Sequence, residues 1–504
     1  MVCTPAGTVQ IYNDGSFIKF VWTGGDDNGR IDSLLKDNVT IQQTNSTDWW
    51  IRENEHTIYL HYAHIDTSQP SGPTDLPSLI DLIKSWVAGS GSSTTNITSG
   101  TDSFGRTRVA TTINLFNAQF RYDAQPLLFT SLTVGDGTVN WTTNVSCVTI
   151  ATDTGATDSA IFQSKPYMPY QADSNLFITI GAILRSVAVR ANNTARIGYY
   201  DDASNKDEGA DVGGCGVFFE YAADGTINAA IRQYSTGAQV DTKVAQSSWN
   251  IDKMDGTGVS GLTIDLTKAQ IFCFELQMNA GRIRAGFNVN GTVYWVHQFL
   301  TANVVAIPTL FNYSLPVRAE MFNSGVAVAD SIQLLSCSVD LDGSINQVPA
   351  NPFNYTINSS IACPITLTGP GQHRPLISIS LRNTLCRATI WPKTIEVDNE
   401  TGVICLWRLI LNPTGLTPTW TDVAHNSFAR YSTNDQTVTI GSESVVLASG
   451  MVTNYLTQDI TALFSTFGVH ADITGATTDI LTLSVEYVRG AAKVRGEMTW
   501  QESK

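Results

Sequence analysis

Residues 270–299 read QIFCFELQMNAGRIRAGFNVNGTVYWVHQF, and this stretch decides the fold class. Apolar residues and His297 occupy every second position in three successive runs, which are Phe272-Phe274-Leu276-Met278, Ile283-Ala285-Phe287-Val289 and Val293-Trp295-His297-Phe299. Side chains in a strand alternate between two faces, so each run predicts a strand with one apolar face. Asn290-Gly291 predicts a tight hairpin, because both residues tolerate a positive φ. An apolar strand face needs a second sheet to cover it, and the stretch therefore predicts a β-sandwich.

The same alternation recurs along the chain, for example at Ile377-Ile379-Leu381 and at Leu481-Leu483-Val485-Tyr487. We therefore expect an all-β protein built of tandem β-sandwiches of the jelly-roll or lectin-like kind. Linkers are placed where the sequence becomes rich in Gly and Ser or in Pro. The expected organisation is an N-terminal attachment or oligomerisation domain (1–90), a linker (91–107), a central β-sandwich (108–345), a second linker (346–356) and a C-terminal β-sandwich (357–504).

The small β-rich N-terminal domain is expected to carry one helix, over residues 75–88. Leu76, Leu79, Ile80, Ile83 and Val87 recur there at helical spacing, with Asp75 as an N-cap and Gly89 as a stop signal. A short helix needs tertiary support. It either docks on its own domain or meets copies of itself on a threefold axis, and the sequence leaves both arrangements open.

Charge is scarce in this chain and its balance is acidic. Only 15% of the 504 residues are Asp, Glu, Lys or Arg, and the net charge is −15. Phosphate neutralisation needs a basic face, so nucleic acid is not an expected partner. No apolar run is long enough to insert into a membrane, and the N-terminus shows no basic and apolar secretory pattern.

The eight cysteines predict neither a metal site nor a redox motif, because no pair has CxxC spacing. Several lie inside apolar strand patterns, which favours free thiols that act as small core residues. The expected site of synthesis is a reducing cytoplasm, and no cofactor is expected.

An acidic segment, residues 201–211, offers oxygen ligands of the kind that calcium accepts. Its candidate ligands are Asp201, Asp202, Asp207 and Asp211. The spacing matches no known calcium loop, so a solvated hairpin loop is the alternative interpretation.

Four aromatic residues near the N-terminus are predicted to make a sugar-binding platform: Trp49, Trp50, Tyr59 and Tyr62. Core filling or anchoring of an interface is the alternative, because aromatic residues dominate both. No nucleotide-binding loop, nucleophile elbow or zinc-protease motif is present, so no catalytic residue is assigned and the protein is not expected to be an enzyme.

Over about residues 105–504 the chain resembles virion structural proteins of tailed bacteriophages and related viruses, described as tail-fibre or capsid-associated proteins. The segments that carry the resemblance are 105–109, 115–120, 125–128, 196–201, 216–220, 249–250, 255–258, 262–265, 315–318 and 490–500. The resemblance implies a surface-exposed fibre, tail-tip or capsid-decorating component of the virion, made in the host cytoplasm. It also implies other virion proteins as partners, a homotrimer and contact with the host surface in adsorption, and it transfers no catalytic residue.

Two alternatives to this function remain. A glycan-binding, lectin-like module would contact host surface glycans, and it would lose affinity when Trp49, Trp50 or aromatic residues in the sandwich loops are changed. A polysaccharide depolymerase would release reducing ends from host capsule, and inert behaviour across a capsule panel would count against it.

Overall fold

The computed structural model describes six strands within residues 8–61 and most of residues 112–503. The gaps longer than four residues in the second range are 203–212, 305–309, 343–353, 359–364 and 368–372. The chain divides into two compact units, residues 1–108 and residues 109–504. The described residues form antiparallel sheets and two short 3-10 turns, and the predicted all-β class is confirmed. Among these residues, no helix has the length and apolar character needed to span a membrane.

The described residues of the N-terminal unit form two three-stranded meanders. Their strands are β1 (Thr8–Asp14), β2 (Phe17–Thr23), β3 (Ile31–Leu35), β4 (Val39–Gln43), β5 (Asp48–Glu53) and β6 (His56–His61). The two sheets have the orders β1-β2-β3 and β4-β5-β6. The helix predicted over residues 75–88 lies outside the described residues, as does the linker predicted over residues 91–107.

The first part of the second unit is a sandwich of an eight-stranded and a seven-stranded sheet. Its strands are β7 (Thr112–Gln119), β8 (Phe129–Val134), β9 (Thr138–Thr142), β10 (Cys147–Thr152), β11 (Ser159–Ser164), β12 (Asn175–Ile183), β13 (Asn193–Tyr200), β14 (Gly216–Tyr221), β15 (Ile227–Tyr234), β16 (Gln239–Ala245), β17 (Gln270–Gln277), β18 (Arg282–Val289), β19 (Thr292–Leu300), β20 (Val317–Asn323) and β21 (Asp330–Asp342). The eight-stranded sheet has the order β19-β18-β17-β12-β21-β10-β9, with β7 also pairing β21. The seven-stranded sheet has the order β16-β15-β14-β13-β20-β11-β8.

The core of this sandwich is aromatic and joins the two sheets. Phe219 of β14 lies with its ring centroid 5.8 Å from that of Phe272, 5.4 Å from that of Phe274 and 4.7 Å from that of Phe287. All four side chains are fully buried. Aromatic pairs at these separations contribute about 0.5–1.5 kcal/mol beyond the burial of their area. The alternation in β17 and β18 therefore builds the sandwich that the sequence predicts.

The predicted hairpin between β18 and β19 is confirmed, and one part of its predicted pattern is wrong. Asn290 and Gly291 have φ values of 53° and 88°, as the tight turn requires. A bulge opposite Ala285 and Gly286 adds one residue to β19, so Val296 enters the core while Trp295 pairs with Gly286. A bulge reverses the faces of the residues beyond it. Trp295 consequently lies under the Arg284 guanidinium, away from the core.

Val293 and His297 of β19 lie on either side of this bulge. Val293 pairs with the outward-facing Asn288, so it too lies on the face opposite to the predicted one. His297 is buried, and its Nδ1 accepts a hydrogen bond from the Asn250 backbone N–H at 3.3 Å. Burial lowers the pKa of His297 to about 4. A neutral, hydrogen-bonded core histidine is what its position in an apolar alternation predicts.

The second part of the same unit is a smaller sandwich of a six-stranded and a five-stranded sheet. Its strands are β22 (Asn354–Asn358), β23 (Ile365–Leu367), β24 (His373–Leu381), β25 (Thr389–Asn399), β26 (Cys405–Leu411), β27 (Thr421–Asp422), β28 (Ala429–Ser432), β29 (Val445–Val452), β30 (Tyr455–Asp459), β31 (Ile480–Tyr487) and β32 (Ala492–Ser503). The six-stranded sheet has the order β27-β28-β24-β31-β26-β29. The five-stranded sheet has the order β22-β32-β25-β30, with β23 also pairing β32.

The predicted alternations of β24 and β31 form the core of this smaller sandwich. Ile377, Ile379 and Leu381 of β24 are fully buried, as are Leu481 and Leu483 of β31. Strand β32 shows the cleanest alternation, with Val494, Met498 and Trp500 buried among half-buried polar neighbours. The alternating polar residues Lys493, Arg495, Glu497, Thr499 and Gln501 therefore lie on the outward face of the five-stranded sheet, whereas Glu502 is buried.

Reciprocal ion pairs join the two sandwiches. Lys165, just after β11, donates to Asp479 at 3.1 Å, and Arg387 of the smaller sandwich donates to Asp201 at 2.8 Å. Leu127 of the larger sandwich also packs against the core of the smaller one. Asp479, Asp201 and Arg387 are nearly inaccessible to solvent. Removing either cation would therefore leave a buried carboxylate without its partner from the other sandwich.

Five cysteines of the described residues are free and buried, as predicted: Cys147, Cys215, Cys273, Cys337 and Cys405. Burial raises the pKa of both Cys273 and Cys337 to about 12. These thiols are therefore protonated core residues and not nucleophiles.

Candidate functional site

The aromatic residues predicted as a sugar platform lie on neighbouring strands of the N-terminal unit. Trp50 of β5 is the register partner of Tyr59 of β6, and Trp49 is the partner of Leu60. Tyr62 lies outside the described residues. The backbone thus brings one tryptophan and one tyrosine opposite each other, and the platform itself stays a prediction.

The described part of the acidic segment is held by arginine. Asp201 accepts hydrogen bonds from Arg387 Nε at 2.8 Å, from the Cys215 backbone N–H at 2.9 Å and from the Tyr167 hydroxyl at 3.3 Å. Burial raises the pKa of Asp201, although Arg387 opposes the shift. Asp202 forms an ion pair with Arg318.

The calcium prediction for this segment remains a prediction. Asp207 and Asp211 lie outside the described residues. Within the described ranges, no group of three or more His, Cys, Asp or Glu residues is arranged to hold a metal ion.

A second concentration of charge lies on the face of the seven-stranded sheet that points away from the aromatic core. Arg196 of β13 bridges two glutamates of the neighbouring strands, with Nε 2.8 Å from Glu220 and Nη1 2.9 Å from Glu320. Arg318 also pairs with Glu320, at 2.6 Å. Burial works against ionisation of Glu320, but Arg318 and Arg196 outweigh it and lower the pKa of this carboxyl. Both glutamates are buried and neutralised by arginine, an arrangement that suits structural support better than acid catalysis.

An open groove of about 200 Å³ lies on the outward face of the five-stranded sheet. We call it the carboxylate groove, and its lining residues are Asn358, Glu396, Asp398, Tyr455, Arg495, Gly496 and Glu497. It is formed by strands β22, β32, β25 and β30, which lie side by side in that order. The groove is therefore built on hydrogen-bonded strands, a rigid support for side chains that contact a ligand.

Strand register places the polar side chains of the groove in one row. Asn358 of β22 pairs with Glu497 of β32, Glu497 pairs with Glu396 of β25, and Glu396 pairs with Thr457 of β30. Directly opposite residues have Cβ atoms about 4.5–5.5 Å apart. One amide, two carboxylates and one hydroxyl consequently line up across four strands.

The two central glutamates differ in their surroundings. Glu396 accepts hydrogen bonds from the Tyr455 hydroxyl at 2.7 Å and from the Thr457 hydroxyl at 3.4 Å. Partial burial and the neighbouring Glu396 carboxylate raise the pKa of Glu497. The pair thus combines one carboxylate fixed by hydroxyl donors with one that takes up a proton more readily than an ordinary glutamate.

The rest of the groove supplies an aromatic surface and a neutralised cation. Tyr455 is 61% exposed, and its hydroxyl is fixed on Glu396. Arg495 contacts Asp398 at 3.3 Å and also pairs with Glu400. Gly496 lies between Arg495 and Glu497 on β32, and a Cβ there would approach Leu376 of the other sheet to within 3.0 Å. The glycine therefore lets the two sheets approach closely beneath the groove.

Local sequence patterns do not reveal this site. Glu396 and Glu497 belong to segments far apart in the chain and become neighbours only through the antiparallel pairing of β25 and β32. The one available signal was the strict alternation of residues 492–503, which predicts a strand with a polar outer face.

No protein-family model matches this chain, and no curated protein matches its sequence. Solved structures do resemble it in shape. An endo-1,3-β-glucanase from Streptomyces sioyaensis is 12% identical and covers 46% of this chain and 97% of its own, with a TM-score of 0.32. Peanut lectin is 10% identical and covers 46% and 98%, with a TM-score of 0.28. A legume lectin-like domain from Entamoeba histolytica is 13% identical and covers 46% and 98%, also with a TM-score of 0.28. At this level of identity and overlap, the likeness carries no information about what this chain binds.

Proposed function

We propose that this protein is a glycan-binding module and that the carboxylate groove is its binding site. The observation that carries the proposal is the row of Asn358, Glu497 and Glu396 beside the exposed ring of Tyr455. Amide and carboxylate oxygens accept hydrogen bonds from sugar hydroxyls, while an aromatic ring covers the apolar face of a pyranose. An open groove suits an extended chain of sugars better than a small molecule, which usually needs an enclosed pocket.

The test is equilibrium binding of the full chain to a panel of neutral, amino and acidic oligosaccharides. We expect Tyr455→Ala to reduce affinity for bound members of the panel by about tenfold, because it removes the aromatic contact and a hydroxyl that fixes Glu396. Tyr122→Ala is the matched control, since Tyr122 is 75% exposed and belongs to the other sandwich. Absence of binding to every glycan, or equal losses in both variants, would contradict the proposal.

The aromatic residues of the N-terminal unit provide a competing location. Trp50→Ala and Trp49→Ala belong in the same experiment, since the sequence predicts a sugar platform there. Loss of binding in these variants with full binding by Tyr455→Ala would place the glycan site in the N-terminal unit and overturn the assignment of the groove.

Hydrolysis of the bound glycan is the second candidate function, and the raised pKa of Glu497 beside Glu396 favours it. Glycosidases that retain configuration use two carboxyl groups about 5–5.5 Å apart, one as the acid and one as the nucleophile. In this assignment Glu497 protonates the leaving oxygen and Glu396 attacks the anomeric carbon. Release of reducing ends by the wild type and its loss in Glu497→Gln would support hydrolysis, whereas unchanged substrate would leave binding alone.

The virion interpretation concerns where such a module acts. A surface-exposed fibre, tail-tip or capsid-decorating protein remains a proposal that rests on the sequence resemblance. Antibody-labelled electron microscopy of virions tests it, because a virion component is labelled on the particle and a protein of another kind is not.

A further inference from the structure

The charges that line the carboxylate groove do not balance. Glu396, Asp398 and Glu497 are acidic, and Arg495 is basic. Arg495 pairs with Asp398 and with Glu400, so its charge is already compensated. Among the described residues, neither Glu396 nor Glu497 forms an ion pair. The groove therefore offers a ligand two adjacent carboxylates that have no ion-pair partner in the described part of the chain.

The position of these two carboxylates is unusual for a sheet. They are direct register partners on neighbouring strands, where like charges destabilise the pairing. Hydroxyl donors orient Glu396, while partial burial and the charge of Glu396 together raise the pKa of Glu497. Local arrangements that oppose stability in this way are concentrated at functional sites. A positive charge placed between the two carboxylates would remove the repulsion.

The aromatic ring beside the pair favours the same kind of ligand. Tyr455 is directly connected to Glu396 through its hydroxyl, and most of its surface is exposed. An aromatic face attracts an ammonium group as well as covering a sugar ring. Asn358 at the other end of the row supplies an amide for sugar hydroxyls.

We propose that the carboxylate groove selects glycans whose sugars carry a free ammonium group. The inference rests on the proposed glycan-binding function and adds the class of sugar. The ammonium group lies between Glu396 and Glu497, and the ring that carries it lies against Tyr455. N-acetylated sugars lack the charge, and sugars with carboxylates are repelled by the groove.

The test compares two oligosaccharides that differ only in this group, namely oligomers of glucosamine and the same oligomers in N-acetylated form. Binding of the full chain is measured by titration calorimetry at a pH where the sugar amine is protonated. Two partly exposed ion pairs predict a preference for the amino form on the order of tenfold. The preference should weaken as salt is added, because the groove is open to solvent.

Isosteric variants connect the preference to the two glutamates. Glu497→Gln and Glu396→Gln are expected to reduce the preference, and the double variant to abolish it, whereas Asp422→Asn retains it. Asp422 is a suitable control because it is an exposed carboxylate on β27, in the other sheet. Thermal unfolding of each variant establishes that the fold is retained.

Every outcome of these binding measurements either supports or contradicts the proposed preference for ammonium-bearing sugars. A preference for the amino form that requires both glutamates supports it. Equal or tighter binding of the N-acetylated form, or a preference that survives in the double variant, overturns it. Binding of neutral glycans that depends on Tyr455 without any such preference leaves the proposed function intact and removes only the sugar class. Absence of binding across the whole panel removes both.

Discussion

The repulsion between Glu396 and Glu497 leads to a prediction about stability that needs no ligand. Replacing Glu497 with glutamine keeps the shape of the side chain and removes one of two like charges on directly opposite residues. We therefore expect Glu497→Gln to be more stable than the wild type at neutral pH, although most substitutions destabilise a protein.

The magnitude follows from the geometry of the strand pair. Charges about 5 Å apart repel by about 0.8 kcal/mol in bulk water. Cross-strand charge pairs are worth roughly 0.2–1 kcal/mol, and the exposure of Glu497 keeps the value within that range. For a folding unit of this size, such a gain raises the midpoint of thermal unfolding by about 1–3 °C.

The pH dependence has a definite sign. The pKa of Glu497 is raised above its ordinary value of 4.5 in the folded protein, so the folded state binds the proton more tightly than the unfolded state does. Stability of the wild type consequently falls as the pH rises from 4.5 through the raised pKa. Below this window Glu497 is protonated in both states, and the wild type and Glu497→Gln should have equal stability.

The assay is thermal or urea-induced unfolding of both proteins across this pH range, with Glu486→Gln as a matched control. Glu486 lies in the other sheet of the same sandwich, 3.0 Å from both Arg408 and His373, so its replacement should destabilise the protein by about 0.5–1 kcal/mol. A loss of stability in Glu497→Gln at neutral pH would contradict the prediction. So would a difference from the wild type that does not change with pH, because Glu396 repels Glu497 only when Glu497 is ionised.

Three further predictions concern the interior. Asp330→Ala leaves the fully buried Arg185 guanidinium without its carboxylate, so the free energy of unfolding measured in urea should fall by about 3–5 kcal/mol. A fall of less than about 1 kcal/mol would contradict this prediction. Arg387→Ala removes the partner of the buried Asp201 carboxylate at the junction of the sandwiches, so calorimetry should show a lower first unfolding midpoint. An unchanged unfolding profile would contradict the role of this ion pair. Cys273 and Cys337 should resist alkylation at neutral pH until denaturant is added, since burial raises their pKa to about 12; rapid labelling in the native state, read by mass spectrometry, would be inconsistent with their positions.

Local signals in the sequence predict the strands well. The Asn290-Gly291 turn, and the buried runs of β24 and β31, follow from turn chemistry and from the two-residue period of a strand. The face of Trp295 could not be predicted, because a bulge is set by pairing between two strands and leaves no mark on the alternation of either one.

The carboxylate groove could not be predicted for a related reason. Glu396 looks like any polar residue of an alternating strand until β32 is placed beside β25. Which strands become neighbours depends on contacts between segments far apart in the chain, and a local pattern contains no information about them. Asp201 illustrates the same limit, since the arginine that binds it, Arg387, comes from the other sandwich.

The most direct test of glycan binding in the carboxylate groove is a crystal structure of the full chain in complex with the oligosaccharide that binds best in the panel. We predict a sugar ring against Tyr455, with hydroxyl or ammonium groups bonded to Glu396 and Glu497. A sugar bound at any other surface, with the carboxylate groove empty, would contradict it.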